Sequence, residues 1–426
     1  MLSPIGNGHD RQTTVGLDIG ACTITCAIGQ IIPETKRVKL LGIASIPSAG
    51  FRHGTITNRD ELIERLEKAM TEAELMASTK VMKAILSITG DHIRCLNTQA
   101  AIVLNRASGV TGGLTERAIN DDDLFQVLDL AQAVSLPIDR DILHTLPQEY
   151  LVDTLEEIKN PIGMTGRRLE GRVHLVTAAT TAMNNLVSCV EELGITVDGL
   201  VFQPLASALA TLHKDEMELG VTLVEIGSST TNIAIYHGSA IRHSAIIPIG
   251  SSSITNDIAV MLQISIDEAE KIKMKYASAR ASMSSPKLKI DLPSQAGQLE
   301  RSVPEQEVSR YVEARMLEIF HMVIREISRA DIKDPLTYGI VMTGGGAQLR
   351  NILPLAENSL GVKVRQGNPI KIDGVQDIAD GPSHATVMGL LLWPLYATDH
   401  VRLQQPTGRG ITGLFEKIRH TIEDLF

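Results

Sequence analysis

Residues 221–237 read VTLVEIGSSTTNIAIYH: an apolar strand over 221–226, a turn of small residues (Gly227, Ser228, Ser229, Thr230), and a second strand from Asn232 to Tyr236. Such a turn leaves backbone N–H groups bare, and a concave row of donors holds a phosphate. An acid closing the first strand, Glu225, has the chemistry to hold Mg²⁺ through water. A Gly/Ser turn between strands is more often only a turn. The balance shifts because residues 15–30, VGLDIGACTITCAIGQ, repeat the pattern. At an offset of 207 residues, Asp18 falls on Glu225, Ile19-Gly20 on Ile226-Gly227, and Thr23 on Thr230. Two acid-Ile-Gly hairpins half a chain apart imply two related lobes, each offering one hairpin to opposite ends of one polyphosphate. A third small-residue turn, Gly344-Gly345-Gly346, follows a strand expected over 338–343, with the next helix region starting at Gln348. It suits close approach of a ligand to the backbone. Taken alone it fits a tight turn equally well.

The elements that position these turns alternate strand and helix. Strands are expected over 38–46, 83–88 and 197–201. Asp60 caps a helix reaching Ala77, with Leu62, Ile63, Leu66, Ala69, Met70 and Ala73 as its buried stripe. From Gly90 to about Arg172, short strands and a helix over 121–133 interrupt this alternation as a separate small α/β unit, and the first lobe resumes at His174. Helices follow over 184–193, 205–213 and 264–281, then a polar loop over 282–304 containing Pro286, Pro293 and Pro304. A long amphipathic helix over 305–330 faces its core with Val308, Tyr311, Val312, Ile319, Phe320, Val323 and Ile327.

The 426 residues are enough for two or three domains, and 43% hydrophobic with 21% charged content is ordinary for a soluble globular chain. A net charge of −10 disfavours a nucleic-acid partner. Cys22, Cys26, Cys95 and Cys189 lack metal-ligand spacing and read as reduced, small apolar residues. Residues 1–14 are polar and do not read as a signal peptide, and the longest apolar run, 387–397, is too short to span a bilayer and contains Pro394. These features imply a start in the cytosol.

The paired hairpins resemble the actin/Hsp70/sugar-kinase ATPase superfamily. The resemblance sharpens over 142–174, where His144, Pro147, Gln148, Glu149, Tyr150, Asp153, Ile158, residues 161–164, Gly166, Arg168, Leu169 and His174 are similar to the FtsA family of actin-like bacterial cell-division proteins. Residues 50–54, 87–90, 254–259, Ala269, Glu270 and Lys273 fit the same family, so the likeness covers nearly the whole chain. It implies an α/β, actin-like (RNase H-like, duplicated) two-lobed ATPase fold with an inserted small α/β subdomain and a C-terminal amphipathic helix. On that plan the first lobe occupies 12–86, the insertion 87–172, and the first lobe again 173–204. The second lobe takes 205–264, with its outer part at 265–335 and its adenosine loop within 336–370. Residues 371–397 return to the first lobe, 398–410 form a linker, and 411–426 the membrane-targeting helix.

The resemblance further implies ATP and Mg²⁺ as cofactors. Asp18, Gly20, Ala21, Cys22 and Thr23 stand in the first phosphate loop, and Glu225, Gly227, Ser228, Ser229, Thr230, Thr231 and Asn232 in the second. Gly344, Gly345 and Gly346 stand at adenosine, Glu270 and Lys273 at ribose and adenine, and Gln203 where relatives orient the attacking water. Asp18 and Glu225 are the expected metal-holding carboxylates. The implied partners are the C-terminal tail of FtsZ, further copies of the chain in a filament, the bilayer surface and other division proteins. The implied place is the cytoplasmic face of the cell membrane at the septum, as a peripheral protein. Arg310 and Arg315 on the outer second lobe are the candidate FtsZ contacts.

Departures from the family pattern concentrate in one loop. Asp-Ile-Gly-Gly-Gly-Thr-Thr-Asp is here Glu225-Ile226-Gly227-Ser228-Ser229-Thr230-Thr231-Asn232, and Gly-Gly-Asp-His is Gly250-Ser251-Ser252-Ser253. Serine is strained wherever such a turn needs positive φ. Asp→Glu displaces a carboxylate by roughly 1.5 Å, against Mg–O distances of about 2.1 Å. Errors near 1 Å can cost about 100-fold in rate, so nucleotide binding with slow or absent turnover is expected. A sugar kinase or Hsp70-like ATPase is the rival class, but no acidic base motif for a sugar cleft is found. A PilM-type membrane-assembly adaptor, without the terminal amphipathic helix, is the other alternative.

In the tail, Ile411, Leu414, Phe415, Ile418, Ile422, Leu425 and Phe426 fall on one helical face after the Pro- and Gly-containing linker. The same stripe fits a helix docked on the body; the terminal position favours a helix lying on a membrane surface. Seven side chains at about 1 kcal/mol each give weak, reversible binding, which linkage along a filament would strengthen.

Overall fold

A computed structural model describes residues 12–104, 117–292, 301–330, 332, 335–374 and 381–396. The 411–426 tail face and the 398–410 linker lie outside them. Three strands open the chain as an antiparallel meander: β1 (Thr13–Ile19), β2 (Thr23–Ile32) and β3 (Arg37–Pro47). Helix α1 (Arg59–Ala77) follows. Its N-cap is Asn58, whose side chain accepts from Glu61 N–H, rather than Asp60, which lies within the first turn. Strand β4 (Lys83–Ile88) then pairs parallel to β1.

Among the described residues the insertion includes β5 (Arg94–Val103), α2 (Asp121–Gln132), β6 (Arg140–Val152), β7 (Leu155–Ile158) and β8 (Arg168–Ala179), these four strands ordered β7-β6-β8-β5. The boundary expected near residue 172 falls inside β8, which runs on to Ala179. That strand serves two cores: Val173 and Leu175 pack within the insertion, whereas Val176 and Ala178 join the first lobe. The continuous ladder to β5 carries the strand through this point, although the pairing with β6 shifts register at Arg172/Val173. The chain returns through α3 (Thr180–Glu191), β9 (Thr196–Phe202) and α4 (Gln203–Thr211).

The second lobe repeats the plan with β10 (Val221–Ile226), β11 (Thr231–His237) and β12 (Ala240–Ile247). Helix α5 (Ser251–Leu262) was not anticipated, because its serine-rich first turn reads as a loop. The helix expected over 264–281 is confined to α6 (Ile266–Tyr276), started by a Ser265/Glu268 capping box. The polar loop expected over 282–304 contains a two-stranded ladder of β13 (Lys289–Leu292) and β14 (Arg301–Pro304), which buries Ile290, Leu292 and Val303. Helix α7 (Glu305–Arg329) adds Met316 to the expected buried face, while Tyr311 and Ile327 are only half-buried. Strand β15 (Ile340–Thr343), α8 (Ile352–Leu360) and β16 (Val364–Gln366) complete the lobe; β17 (Ile372–Asp373) and α9 (Ala385–Tyr396) return to the first.

The two sheets share one topology. The first is ordered β9-β4-β1-β2-β3-β17 and the second β16-β15-β10-β11-β12 when read from the same edge. In both, the opening strand pairs antiparallel with the second and parallel with the fourth. Helices α4 and α9 cross where the lobes join, and Gly389 makes that crossing possible: a Cβ there would lie 1.7 Å from the Ala206 carbonyl oxygen. Backbone cannot yield by so much without separating the helices. Gly389→Ala is expected to cost about 3 kcal/mol or more, read as a lowered urea midpoint. A loss below about 0.5 kcal/mol, the scale of surface changes, would refute the close approach.

Candidate functional site

Between the lobes lies a cleft of about 470 Å³. Asp18, Gly20, Ala21, Cys22 and Thr23 line it from the first hairpin, and Glu225, Gly227 and Ser228 from the second. Gln203, Glu270, Lys273, Gly344, Gly345 and Gly346 complete the expected set along its walls. Ser229, Thr230, Thr231 and Asn232 do not line the cleft. Thr230 closes the turn by accepting from Gly227 N–H at 2.8 Å, and Thr231 Oγ1 donates to the Ile249 carbonyl. Ser251, noted only as a departure from the family pattern, also lines the walls, as do Thr386 and Arg350, which escaped sequence reasoning because each sits outside a recognisable turn motif.

The serines of the second loop are unstrained. Neither Ser228 nor Ser229 is among the residues with positive φ, so the expected left-handed penalty is absent. Rigidity comes instead from α5, whose first N–H groups, of Ser251 and Ser252, donate to the Gly227 and Ser228 carbonyls at 2.9 Å each. Ser252 Oγ adds a bond to Ser228 O at 2.7 Å. Gly250 allows this clamp, because a Cβ there would lie 2.5–2.6 Å from those same carbonyl oxygens. In the third turn Gly344 has φ +83°, and its Cβ position would meet Ile226 O at 2.5 Å. Gly345, by contrast, faces open space. The turn is therefore tight and open at once: two glycines fit it against β10, and one leaves room for a ligand.

Glu225 is fully buried, and burial raises its pKa. Its Oε1 accepts from Ser207 Oγ at 2.8 Å and Thr386 Oγ1 at 2.6 Å, and its Oε2 from Asn232 Nδ2 at 3.2 Å. With both oxygens bonded inward, Glu225 is not placed to bind a metal directly, and its expected role is confined to one through water. At Asp18, among the described residues, only Ser87 hydrogen-bonds the carboxylate, Oγ donating to Oδ1 at 2.6 Å, and Asp18 lines the cleft. Burial, opposed by that bond and assisted by the nearby Glu225 charge, pushes its pKa up to about 7. A carboxylate so disfavoured in its charged form is suited to a cation. Among the described residues no cluster of three or more acidic, His or Cys side chains could hold a metal, so Mg²⁺ would depend on phosphate oxygens and water for its remaining ligands.

Gln203 starts α4 at the cleft floor. Its Oε1 accepts from Asn232 Nδ2 at 3.2 Å and its Nε2 donates to Thr386 Oγ1 at 3.3 Å, which limits its freedom to orient water. Lys273 Nζ donates to Thr255 Oγ1 at 2.9 Å and pairs with Glu270 at 2.7 Å on the cleft wall. On the outer second lobe Arg310 is exposed. Arg315 instead grips Asp257 with two bonds of 2.7 Å and contacts Glu318, joining α7 to α5.

Comparison with known proteins decides the family. Residues 222–389 match the family described as "Cell division protein FtsA", and residues 90–177 match "SHS2 domain inserted in FTSA". A cell division protein FtsA of Pseudomonas aeruginosa is 38% identical over 381 residues, covering 89% of each chain. That of Escherichia coli K12 is 33% identical over 389 residues, covering 90% of each. The chain belongs to the FtsA family of cell-division proteins. Solved structures share its actin-like fold. A PilM–PilN type IV pilus biogenesis complex gives a TM-score of 0.65 at 16% identity, covering 90% of this chain and 98% of that one. MreB5 of Spiroplasma citri bound to AMPPNP gives 0.54 at 14%, covering 92% and 99%. Among the described residues, no helix is long and apolar enough to cross a membrane.

Two outcomes follow from the carboxylates. The folded-state value of Asp18, near 7, lies above its ordinary 3.8. Its ionisation therefore opposes folding: nothing is lost below about pH 4, and stability falls as pH rises to about 7. Asp18→Asn should match the wild type near pH 4 and exceed it by a few kcal/mol near pH 8 without nucleotide. Thermal denaturation at both pH values checks this, and a constant difference would refute it. Asn232→Asp restores the family residue but brings a third carboxylate up against Glu225. It is expected to destabilise by about 3 kcal/mol at neutral pH, less in acid, without raising ATP turnover. An unchanged melting temperature would count against the bond from Asn232 to Glu225.

Proposed function

We propose that the chain binds ATP with Mg²⁺ between its lobes, polymerises on the cytoplasmic face of the cell membrane, and tethers FtsZ filaments there. The observation that carries the nucleotide reading is the convergence of three small-residue turns on one cleft, with Asp18 among its lining residues. Likeness in fold to MreB5 bound to AMPPNP and to a MamK double helical filament supports nucleotide binding and polymerisation. The sequence of 411–426 supplies the anchor, with its seven apolar side chains on one helical face. FtsZ and later division proteins enter as partners through family membership.

Slow turnover fits the cleft better than fast hydrolysis. The carboxylate of Glu225 points into the fold, and the Gln203 amide is held by Asn232 and Thr386. For the FtsZ tail, which mixes acidic and apolar residues, Arg310 is the better candidate on the outer second lobe. Arg315 already neutralises Asp257, so its substitution would disturb α5–α7 packing as well as any contact.

The test is flotation of the full chain with phospholipid vesicles and FtsZ, with and without Mg-ATP. Wild type should float, bring FtsZ with it, and do so more strongly when filaments form. Phe415→Glu with Ile418→Glu should lose flotation while still binding nucleotide and FtsZ, because it places two charges in the apolar face. Added salt should matter little, since the tail is nearly neutral. Unchanged flotation of the double variant would mean the tail is no anchor. ATP turnover above about 1 s⁻¹ would overturn the slow-switch reading.

A further inference from the structure

Gln148, Glu149 and His174 belong to the stretch on which the family resemblance rests, yet none of them lies at the nucleotide cleft. All three meet the outer edge of the second lobe. Strand β12 is the edge of its sheet, and such an edge presents unpaired backbone groups. It also carries a β-bulge: Ile235 pairs with His243 and Tyr236 with Ile241, leaving Arg242 as the extra residue. The insertion covers this edge with amide side chains. Asn97 Nδ2 donates to the Arg242 carbonyl at 3.0 Å, and Gln148 Nε2 to the Ile241 carbonyl at 2.7 Å.

Behind them stands His174, 1% exposed. Its Nδ1 lies 2.6 Å from Asn97 Oδ1 and its Nε2 2.7 Å from Ser244 Oγ. The proton positions follow from the chemistry. A carbonyl only accepts, so Asn97 turns its NH₂ to Arg242 and its oxygen to His174. His174 must then donate from Nδ1, and Nε2 accepts from the Ser244 hydroxyl. Burial pushes the histidine pKa down to about 3, so the ring remains neutral and the relay keeps one direction. Arg242 also approaches Glu149 at 3.5 Å, and Lys159 pairs with Glu218 at 2.7 Å. The insertion's other buried histidine, His144, ties it to the first lobe by accepting from Phe202 N–H at 2.9 Å, one residue before Gln203.

We propose that the insertion is a strap across the two lobes: the Gln148–Asn97–His174–Ser244 relay latches it to β12, and releasing that latch is a step in opening the cleft. Its first-lobe end lies beside Gln203. Its second-lobe end continues along the hairpin to Asn232, which accepts from Thr89 Oγ1 at 2.9 Å where the insertion leaves the first lobe. Rotation of one lobe against the other must therefore stretch the relay or break it. Linkage to the cleft rests on the nucleotide reading above, whereas the latch itself does not.

Ser244→Ala and Gln148→Leu, singly and together, remove donors with little loss of packing volume. Two measurements on the full chain separate the claims. Hydrogen exchange without nucleotide should be about 10-fold faster over 240–247 in the double variant, with 13–19 in the first-lobe sheet unchanged. Release of a fluorescent ATP analogue should be about 5-fold faster. A folded double variant with wild-type exchange over 240–247, or with equal acceleration over 13–19, overturns the latch. Faster exchange with unchanged release keeps the latch and overturns its part in opening. If the wild type binds no analogue, the nucleotide reading fails, and the exchange result alone decides the latch. Ring ¹⁵N shifts provide a readout that packing alone would not move: His174 should carry its hydrogen on Nδ1, and a hydrogen on Nε2 would overturn the relay.

Discussion

A carboxylate placed in the interior of a protein must be satisfied, and the junction of this molecule is built around satisfying one. Glu225 takes hydrogen bonds from Ser207 on α4, Thr386 on α9 and Asn232 on β11. Those elements come from distant parts of the chain, and their side chains converge only if the two helices cross closely. Gly389 against Ala206 provides that crossing, and Gly16 does the same between β1 and α9, where a Cβ would lie 2.8 Å from Leu390 Cβ. Losing one donor would expose the carboxylate to the desolvation penalty that its hydrogen bonds offset. The floor of the cleft and the packing between lobes are thus one problem with one solution.

This arrangement separates two acids that occupy equivalent places in the two hairpins. Asp18 lines the cleft; Glu225, one methylene longer, reaches past the cleft wall to hydroxyl groups beneath it. The pair differ in partners: Asp18 accepts from Ser87, whereas Glu225 accepts from Ser207, Thr386 and Asn232. Asn232 belongs to the same logic, since its NH₂ donates to Glu225 where a carboxylate would repel. Departures from the family pattern that look independent along the chain are coupled in space.

The insertion adds a constraint that the two lobes alone would lack. It is fixed to the first lobe through β8 and His144 and to the second through the side chains covering β12. Covering an edge strand protects it from pairing with other chains. Here the cover is made by residues whose hydrogen-bond roles interlock, so the contact is directional as well as adhesive.

Much of this was legible in the residues. Duplication of an acid-Ile-Gly hairpin predicted two lobes, and the matching strand orders of the two sheets bear this out. The hairpins, the α1 and α7 stripes and the location of the insertion follow from local periodicity, which the backbone fixes within a few residues. Family membership was legible as well, because its motifs are contiguous. What the sequence could not decide depended on groups brought together from afar. Whether Ser228 and Ser229 would be strained depended on φ values set by the α5 clamp. The role of Glu225 depended on Ser207 and Thr386, which no local pattern links to it. Arg315, read with Arg310 as a candidate FtsZ contact, is engaged by Asp257, which only α5 brings to it. The strand β8 runs through the expected end of the insertion because it passes from one core to the other, alternating up to Val173 and buried on both faces from there to Ala178. Local propensity and motif are written in order along the chain; the pairing of buried polar groups is a property of the folded interior, and only the tertiary structure decided it.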